Sequence, residues 1–241
     1  MVKSPQSAPA TLPRFRAVPF LTPPTITTAV LTERQRRELM RIGTKVHLTP
    51  RTIAYREGSA AENAFIVLDG VVKGYRDMPS GRRPVFAFLF SRDLFGLAER
   101  GRYLNSTQAV TQSTLLRLPM RDLAAALKQD GDLQFEFLTK ITHELRESQR
   151  RALLITRRDA PGRLAMFLML MAERIAIGVR PAHVVPLPMS RSDIAAYLGL
   201  SLESVSRSAA VLEHRMLVKF EGRHAVRLIN PEGLAKLAAA V

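Results

Sequence analysis

The chain has 241 residues, a formal net charge of +15 and no cysteine. The absence of cysteine excludes disulfides, cysteine-bound zinc, iron–sulfur clusters and thiol switches. The positive charge favours a polyanionic partner, either a nucleic acid or an anionic membrane surface. No apolar run approaches the roughly 20 residues of a membrane span, and prolines interrupt the N-terminus where a signal peptide would have its apolar core. We therefore expect a cytoplasmic protein without a membrane partner.

The N-terminal part of the sequence divides into an arm and a strand-rich segment. Residues 1–30 are rich in proline, threonine and alanine, which predicts a flexible arm without a core of its own. Thr32 followed by Gln35 resembles a capping box and predicts a short helix. Over residues 31–125 the pattern changes to short apolar strands, separated by turn signals such as Asp69-Gly70. Many short strands with glycine-rich corners predict a jelly roll or a small barrel.

Residues 126–158 carry apolar side chains at intervals of three and four, the spacing of a long helix with an apolar seam. We predict that this seam pairs with the same helix of a second copy, so that the helix serves for dimerisation. The alternative interpretation is a helix that packs on its own domain. The predicted seam residues are Leu138, Ile141, Leu145, Ala152 and Ile155.

A hinge is predicted at Asp159, because Asp159-Ala-Pro161 has the pattern of a helix N-cap followed by proline in the first turn. A second domain is expected to span residues 159–241. The methionines of its first helix predict core packing rather than a ligand site. Near its end, Gly222 is predicted to turn a small hairpin, a wing, before a short terminal helix.

Residues 189–207 have the spacing of a helix-turn-helix. Their apolar side chains form the inward faces of two short helices, and Gly199 falls where a tight turn needs a positive φ. The second helix presents Glu203, Ser206 and Arg207 on one side. A carboxylate, a hydroxyl and a guanidinium match the donors and acceptors of base edges in the major groove of double-stranded DNA. The alternative is a helical hairpin with a solvated polar face.

DNA binding by a helix-turn-helix also favours a dimer, and therefore a dimerisation role for the long helix. A single helix-turn-helix contacts little DNA, whereas a dimer places two of them on successive major grooves. This geometry favours the interpretation of residues 126–158 as a dimerisation helix, and it predicts a homodimer on palindromic DNA.

The predicted order of elements resembles that of the Crp–Fnr family of bacterial transcription regulators. Two segments carry the resemblance, the stretch from Arg56 to Gly70 and the stretch from Leu187 to Arg207. Glu-Ser-Val-Ser-Arg at 203–207 is similar to the Fnr/FixK branch, which has serine where the cyclic-AMP receptor branch has glycine. The resemblance implies an α+β fold with an N-terminal β-roll of the cyclic-nucleotide-binding jelly-roll type, a long dimerisation helix and a C-terminal winged helix-turn-helix.

The resemblance also implies roles for individual residues. Glu203, Ser206 and Arg207 would contact bases in half-sites resembling TTGAT and ATCAA, since arginine can bridge the acceptors of guanine and glutamate can accept from cytosine. Positioning contacts to phosphates are implied for Arg191, Ser201, Ser204 and Arg223. Within the wing, Glu221 is expected to pair with Arg223 or to point away from DNA. The family further implies an activator with RNA polymerase as a partner.

The β-roll departs from the pattern of cyclic-nucleotide binders in the stretch from Phe95 to Gln108. Glu99 is out of register with the family glutamate, and Asn105 stands where an arginine would hold the phosphate. An amide cannot neutralise a phosphate, so we expect no cyclic nucleotide. We also expect no cofactor and no metal site. The alternative is an effector-gated sensor that holds haem, with His47 or His143 as axial ligand, or another small ligand in the roll. Enzyme activity is not expected, because the sequence lacks a histidine cluster in the roll and a nucleotide-binding loop.

Overall fold

The computed structural model describes residues 33–98, 100–156, 159–176 and 184–239, so the arm predicted for residues 1–30 lies outside the described residues. The helices of the described ranges are α1 (Glu33–Ile42), α2 (Met120–Gln129), α3 (Gly131–Thr156), α4 (Ala160–Ala176), α5 (Arg191–Leu198), α6 (Leu202–His214) and α7 (Pro231–Ala239). The strands are β1 (Thr44–Leu48), β2 (Ile53–Tyr55), β3 (Asn63–Asp69), β4 (Val72–Tyr75), β5 (Val85–Leu89), β6 (Leu94–Phe95), β7 (Ser106–Ala109), β8 (Ser113–Pro119), β9 (Val184–Pro186), β10 (Val218–Glu221) and β11 (Ala225–Leu228).

Two four-stranded antiparallel sheets form the N-terminal roll. Their strand orders are β1-β8-β3-β6 and β2-β7-β4-β5. The apolar side chains of Val67, Val72 and Leu115, one from each of three strands, are almost fully buried in a common cluster. Burial of such β-branched and leucine side chains is the main favourable term that holds the two sheets together. The predicted jelly roll is therefore confirmed, and the short helix predicted from Thr32 and Gln35 is α1, although Thr32 itself is not among the described residues.

The long helix begins later than the sequence indicated. The apolar spacing predicts a start at residue 126, but residues 126–129 form the last turn of α2, and α3 begins at Gly131. Asp130 separates the two helices because it leaves the helical conformation, with φ −129° and ψ 100°, and its side chain accepts a hydrogen bond from Leu133 N at 2.9 Å. An aspartate in this role is a common N-cap, and Asp130-Gly131 is a turn signal in the sequence that marks the break between the two helices.

The predicted seam lies on the exposed side of α3. Leu138 and Leu145 are 56% and 59% exposed in the single chain, and Ile141, Ala152 and Ile155 are also exposed. Two further apolar residues that the seam prediction did not include, Phe135 and Leu153, are exposed on the same helix. A helix of 26 residues with so many exposed apolar side chains presents a surface of the kind that marks a protein contact.

The C-terminal part is built around α4. Asp159 Oδ2 accepts a hydrogen bond from Gly162 N at 2.6 Å, as expected for an N-cap. The methionines Met166, Met169 and Met171 are buried, so they pack in the core. Strands β9, β10 and β11 form the small antiparallel sheet of the wing, in the order β10-β11-β9. Within the described residues, we find no helix that is long and apolar enough to cross a membrane.

Candidate nucleic-acid interface

Helix α5 is the first helix of the predicted helix-turn-helix, and its two ends are set by local chemistry. Ser190 Oγ accepts a hydrogen bond from Asp193 N at 3.0 Å and so caps the start. At the other end, Gly199 adopts φ 65° and ψ 34°, the left-handed conformation that glycine tolerates best. The tight turn with a positive φ predicted at Gly199 is confirmed.

Helix α6 is the second helix, and its burial pattern fixes which side faces outward. Ser201 Oγ caps its start by accepting from Ser204 N at 3.1 Å. Val205, Ala209 and Leu212 are buried against the rest of the domain, at the spacing of one helical face. The opposite face is therefore available to solvent or to a ligand.

Two of the three predicted base-contacting residues lie fully on that outer face. The side chains of Glu203 and Arg207 are 75% and 70% exposed, and Arg207 Nη1 lies 3.3 Å from Glu203 Oε1 across one turn. Ser206 lies between them in the chain and is partly buried. An exposed ion pair of this kind contributes little to stability. Its two side chains can therefore separate at little cost and contact base edges instead.

The predicted phosphate-contacting residues fall into two groups. Arg191 and Arg223 are exposed cations, one at the start of α5 and one in the turn of the wing. The Arg191 guanidinium lies 5.6 Å from the centroid of the Phe220 ring, which places it against the wing. Ser201 and Ser204 instead belong to the cap of α6, because Ser201 Oγ also donates to Ser204 Oγ at 2.9 Å. This arrangement leaves the proton of the Ser204 hydroxyl for another acceptor.

The pairing expected for Glu221 with Arg223 is not the one observed. Glu221 Oε1 lies 2.6 Å from Arg227 Nε on the neighbouring strand of the wing. The register of β10 and β11 explains the difference, because Glu221 is opposite Ala225 while Arg227 is two residues further along β11, on the same face. Arg223 lies in the turn that joins the strands, outside this ladder.

The helix-turn-helix packs against the roll of its own chain through α5. Lys73 Nζ on β4 lies 2.5 Å from Asp193 Oδ1 in the first turn of α5. Further along the same helix, the Tyr197 ring lies 5.2 Å from the Phe88 ring of β5, measured between centroids. Both contacts involve side chains that are mostly buried, so the two parts of the chain share one core.

A third element, α3, completes this contact through Arg151. Its guanidinium carbon lies 5.2 Å from the centroid of the Tyr197 ring and 5.6 Å from that of the Phe86 ring on β5. Arg151 Nη2 also donates to Tyr197 O at 3.3 Å, and Arg163 Nη1 donates to Leu198 O at 3.1 Å. These are two of the last carbonyls of α5, which have no partner within the helix and interact favourably with cations.

Only part of this contact has a signal in the sequence. Ser190 and Asp193 could have been recognised as a capping pair, because an acidic residue follows serine at the required spacing. No local pattern, however, marks Lys73 or Arg151 among the 36 basic residues of the chain. Their role depends on which parts of the fold come together.

The interior of the roll contains a stack of aromatic rings. Tyr55 and Tyr103 lie parallel, with centroids 3.7 Å apart, and Phe65 and Phe95 extend the stack at 5.3 Å from each other. Burial raises the pKa of Tyr55 to about 12. A cleft of about 360 Å³ adjoins these rings and is also lined by Arg117.

Asn105 and Ser106, which the resemblance aligns with the phosphate-binding pair of cyclic-nucleotide binders, make internal contacts here. Ser106 Oγ accepts from Glu57 N at 3.0 Å, and a Cβ added to Gly74 would lie 2.9 Å from Asn105 Nδ2. The Asn105 amide is therefore packed closely against β4. Glu99, the other residue in which the sequence departs from the family, lies outside the described residues.

The two histidines considered as axial ligands lie on different elements. His47 is exposed on β1, where its Nδ1 lies 3.1 Å from Thr114 Oγ1. His143 lies on α3 in a polar cluster with Asp93 and Glu144. Burial lowers the pKa of His143, and the positive charge of Arg174 lowers it further.

Comparisons with known proteins agree with this architecture. A family profile described as a Crp-like helix-turn-helix domain matches residues 162–237, and one described as a cyclic nucleotide-binding domain matches residues 45–130. The nitrogen fixation regulation protein FixK of Bradyrhizobium diazoefficiens is 31% identical over 205 residues, which cover 85% of this chain and 86% of FixK. The chain is a member of the Crp–Fnr family.

Further relatives place this Crp–Fnr protein in the FixK/Fnr-like branch. The transcriptional activatory protein AadR of Rhodopseudomonas palustris is 29% identical over 203 residues, 84% of each chain. The solved structure of FixK2 from Bradyrhizobium japonicum matches with a TM-score of 0.76 and 30% identity, covering 83% of this chain and 99% of FixK2. This Crp–Fnr protein is therefore a DNA-binding transcription regulator with a β-roll, a long helix and a helix-turn-helix.

Proposed function

We propose that this regulator binds palindromic DNA as a homodimer and activates transcription without a cyclic nucleotide or an iron–sulfur cluster. The main support is the exposed pair of Glu203 and Arg207 on the outer face of α6. In this proposal Arg207 contacts a guanine and Glu203 a cytosine, in half-sites resembling TTGAT and ATCAA. Ser206 contributes a hydroxyl between them. The protein would act in the cytoplasm, together with RNA polymerase, and as a regulator rather than an enzyme.

Phosphate contacts would set the register of α6 on the duplex. Arg191 and Arg223 lie on either side of the recognition helix in the chain, and both are exposed cations. Ser201 and Ser204 lie at the N-terminus of α6, where backbone N–H groups and the helix dipole favour an anion. Contacts of this kind position a protein without sequence information of their own.

Dimerisation is supported by the exposed apolar side chains of α3, which have no cover in the single chain. Pairing of the seam around Leu138, Ile141 and Leu145 with its copy, continued by Ala152 and Ile155, would remove this apolar area from water. The hinge proposed at Asp159 follows directly, so the orientation of each DNA-binding domain would depend on the paired helices. A two-fold dimer favours palindromic sites.

Independence from a cyclic nucleotide is supported by the interior of the roll. The stacked rings of Tyr55 and Tyr103 occupy space between the sheets, and Asn105 replaces the arginine that would bind a phosphate. Activation is supported by the names of the relatives, since AadR is described as a transcriptional activatory protein.

The experiment that tests the proposal is a DNA-binding titration with purified, additive-free protein. Fluorescence anisotropy would compare a palindromic duplex, with half-site centres about 10 base pairs apart, with a duplex in which one half-site is scrambled. A parallel titration would contain cyclic AMP, and an absorbance spectrum would detect haem. We expect tight, ligand-independent binding of two chains to the palindrome and much weaker binding to the scrambled duplex.

Equal affinity for the two duplexes would overturn the proposed sequence specificity. Binding that appears only with an added small molecule would favour the effector-gated alternative. A selection of bound sites from random DNA would then define the half-site without assuming it.

A further inference from the structure

A polar cluster lies where the roll meets the long helix. Asp93 belongs to the turn between β5 and β6, and His143 and Glu144 are consecutive residues of α3. One ligand atom from each of the three side chains lies within 4.8 Å of the other two. All three residues are at least partly shielded from solvent, and Asp93 is only 9% exposed.

In contrast to the expectation from the sequence that the chain holds no metal, we propose that Asp93, His143 and Glu144 form a binding site for a divalent first-row metal ion of the Mn²⁺, Fe²⁺ or Zn²⁺ type. An imidazole nitrogen with two carboxylate oxygens suits these ions, whereas Mg²⁺ and Ca²⁺ prefer oxygen ligands throughout. Ligand atoms bound to one such ion at about 2.1 Å can be at most about 4.2 Å apart. The observed separations therefore require only small side-chain rotations to close around the ion.

The side chains of His143 and Glu144 are available to bind an ion. Among the residues that the structure describes, the side chains of His143 and Glu144 make no hydrogen bond and no ion pair, so their ligand atoms are not held by another group. Both side chains are only partly buried, so an ion can reach them from solvent.

Arg174 determines how Asp93 would take part. Its Nη1 lies 2.5 Å from Asp93 Oδ2, and the same oxygen accepts from Phe90 N at 2.8 Å. These two hydrogen bonds hold the carboxylate in place and leave Oδ1 for the ion, as second-sphere donors do in many metal sites. The positive charges of Arg174 and Lys140 oppose the ion, while Glu147, which is 3.4 Å from Arg174 Nη2, offsets part of that opposition.

The position of the site gives an ion a structural consequence. It would join a turn of the roll to α3, in the same helical segment as the proposed seam residues Ile141 and Leu145. Because an ion that binds the folded chain stabilises it by mass action, loading is expected to stabilise the contact between the roll and the proposed dimerisation helix.

The test is an isothermal titration of untagged, chelator-treated full-length protein with Zn²⁺, repeated with Mn²⁺. We expect one ion per chain, with an affinity that falls at least about tenfold in His143→Ala and in the nearly isosteric Glu144→Gln. His47→Ala is the matched control, because it also removes one imidazole but from an exposed position on β1. The wild type and His47→Ala should bind alike.

Thermal unfolding provides the second measurement and a check on folding. Without metal, all four proteins should show cooperative transitions, and Zn²⁺ should raise the midpoint for the wild type and His47→Ala but not for His143→Ala or Glu144→Gln. Absence of saturable binding to the wild type would overturn the proposal. So would an unchanged affinity in a folded His143→Ala or Glu144→Gln variant, because the ion would then be bound elsewhere.

Discussion

Lys73 of the roll and Asp193 of the helix-turn-helix form an ion pair, with Nζ 2.5 Å from Oδ1. The two residues are 120 positions apart in the chain, and both side chains are mostly buried, at 13% and 20% exposure. Asp193 is also part of the cap of α5, so a strand of the roll contacts the very turn at which the helix-turn-helix begins. The placement of the DNA-contacting domain thus depends on the roll directly, in addition to its covalent connection through α3 and α4.

The Lys73–Asp193 pair is expected to stabilise the fold measurably. A double-mutant cycle of Lys73→Met and Asp193→Asn should give a coupling energy of about 1–3 kcal/mol in the free energy of unfolding. The physical reason is the low exposure of the pair, which reduces screening by water and leaves either charge without compensation when its partner is removed. Urea unfolding of the four proteins measures this quantity.

The Asp77–Arg83 pair is the matched control for that cycle. Its atoms are also 2.5 Å apart, but the side chains of Asp77 and Arg83 are 59% and 51% exposed, so a cycle of Asp77→Asn and Arg83→Met should give less than about 1 kcal/mol. Equal coupling energies for the two pairs would show that burial does not distinguish them, contrary to the expectation.

Local patterns predicted the individual elements well, and contacts between distant elements poorly. Gly199 and Ser201 revealed the turn and the cap of the second helix because their conformation and chemistry act on adjacent residues. The helix break at Asp130 was predictable from Asp130-Gly131, a local turn signal, but the continuous apolar spacing across it favoured a single helix. Lys73, Arg151 and the cluster around Asp93 were not predictable, since their partners are supplied by packing between elements far apart in sequence.

Replacement of Arg207 is expected to reduce DNA affinity and to relax specificity at one base pair. Arg207→Ala should cost about 1–3 kcal/mol of binding free energy on the palindromic duplex, because a bidentate contact to guanine is lost. On a duplex with that guanine substituted, the variant and the wild type should bind equally. Anisotropy titrations against both duplexes measure the effect, and thermal unfolding should be unchanged because the side chain is exposed.

Arg223→Ala is the comparison for that prediction. As a proposed phosphate contact in the wing, it should weaken binding to every sequence by a similar factor and should lower the slope of log K against log salt by about 1. If Arg207→Ala behaved in this uniform way instead, the assignment of α6 as the base-contacting helix would be wrong.

A charge placed in the exposed seam of α3 is expected to dissociate the proposed homodimer. Leu145→Asp would bury one unpaired carboxylate per chain at the interface, at a cost of about 3 kcal/mol or more, which is over about 100-fold in the dimer dissociation constant. Sedimentation velocity over a range of concentrations measures this change. Leu104→Asp is the control, because Leu104 is similarly exposed, at 61% against 59%, but lies in the roll. A Leu145→Asp protein that remains a tight dimer would contradict the proposed seam.

Glu173 is expected to make the stability of the fold depend on pH. Burial raises the pKa of its carboxyl to about 7 even though Arg150 lies 3.3 Å away. As the pH rises, the folded protein therefore keeps a proton on Glu173 that the unfolded chain, in which the pKa has its ordinary value of 4.5, releases at a lower pH. The resulting stability is fully present below about pH 4.5 and is lost as the pH rises towards 7.

Glu173→Gln stays neutral, so its free energy of unfolding relative to the wild type should increase between pH 5 and pH 8. Urea unfolding with a chelator present measures that difference, and Glu62→Gln, at an exposed position, should show a flat one. A flat difference for Glu173→Gln as well would mean that the carboxyl titrates alike in the folded and unfolded chains.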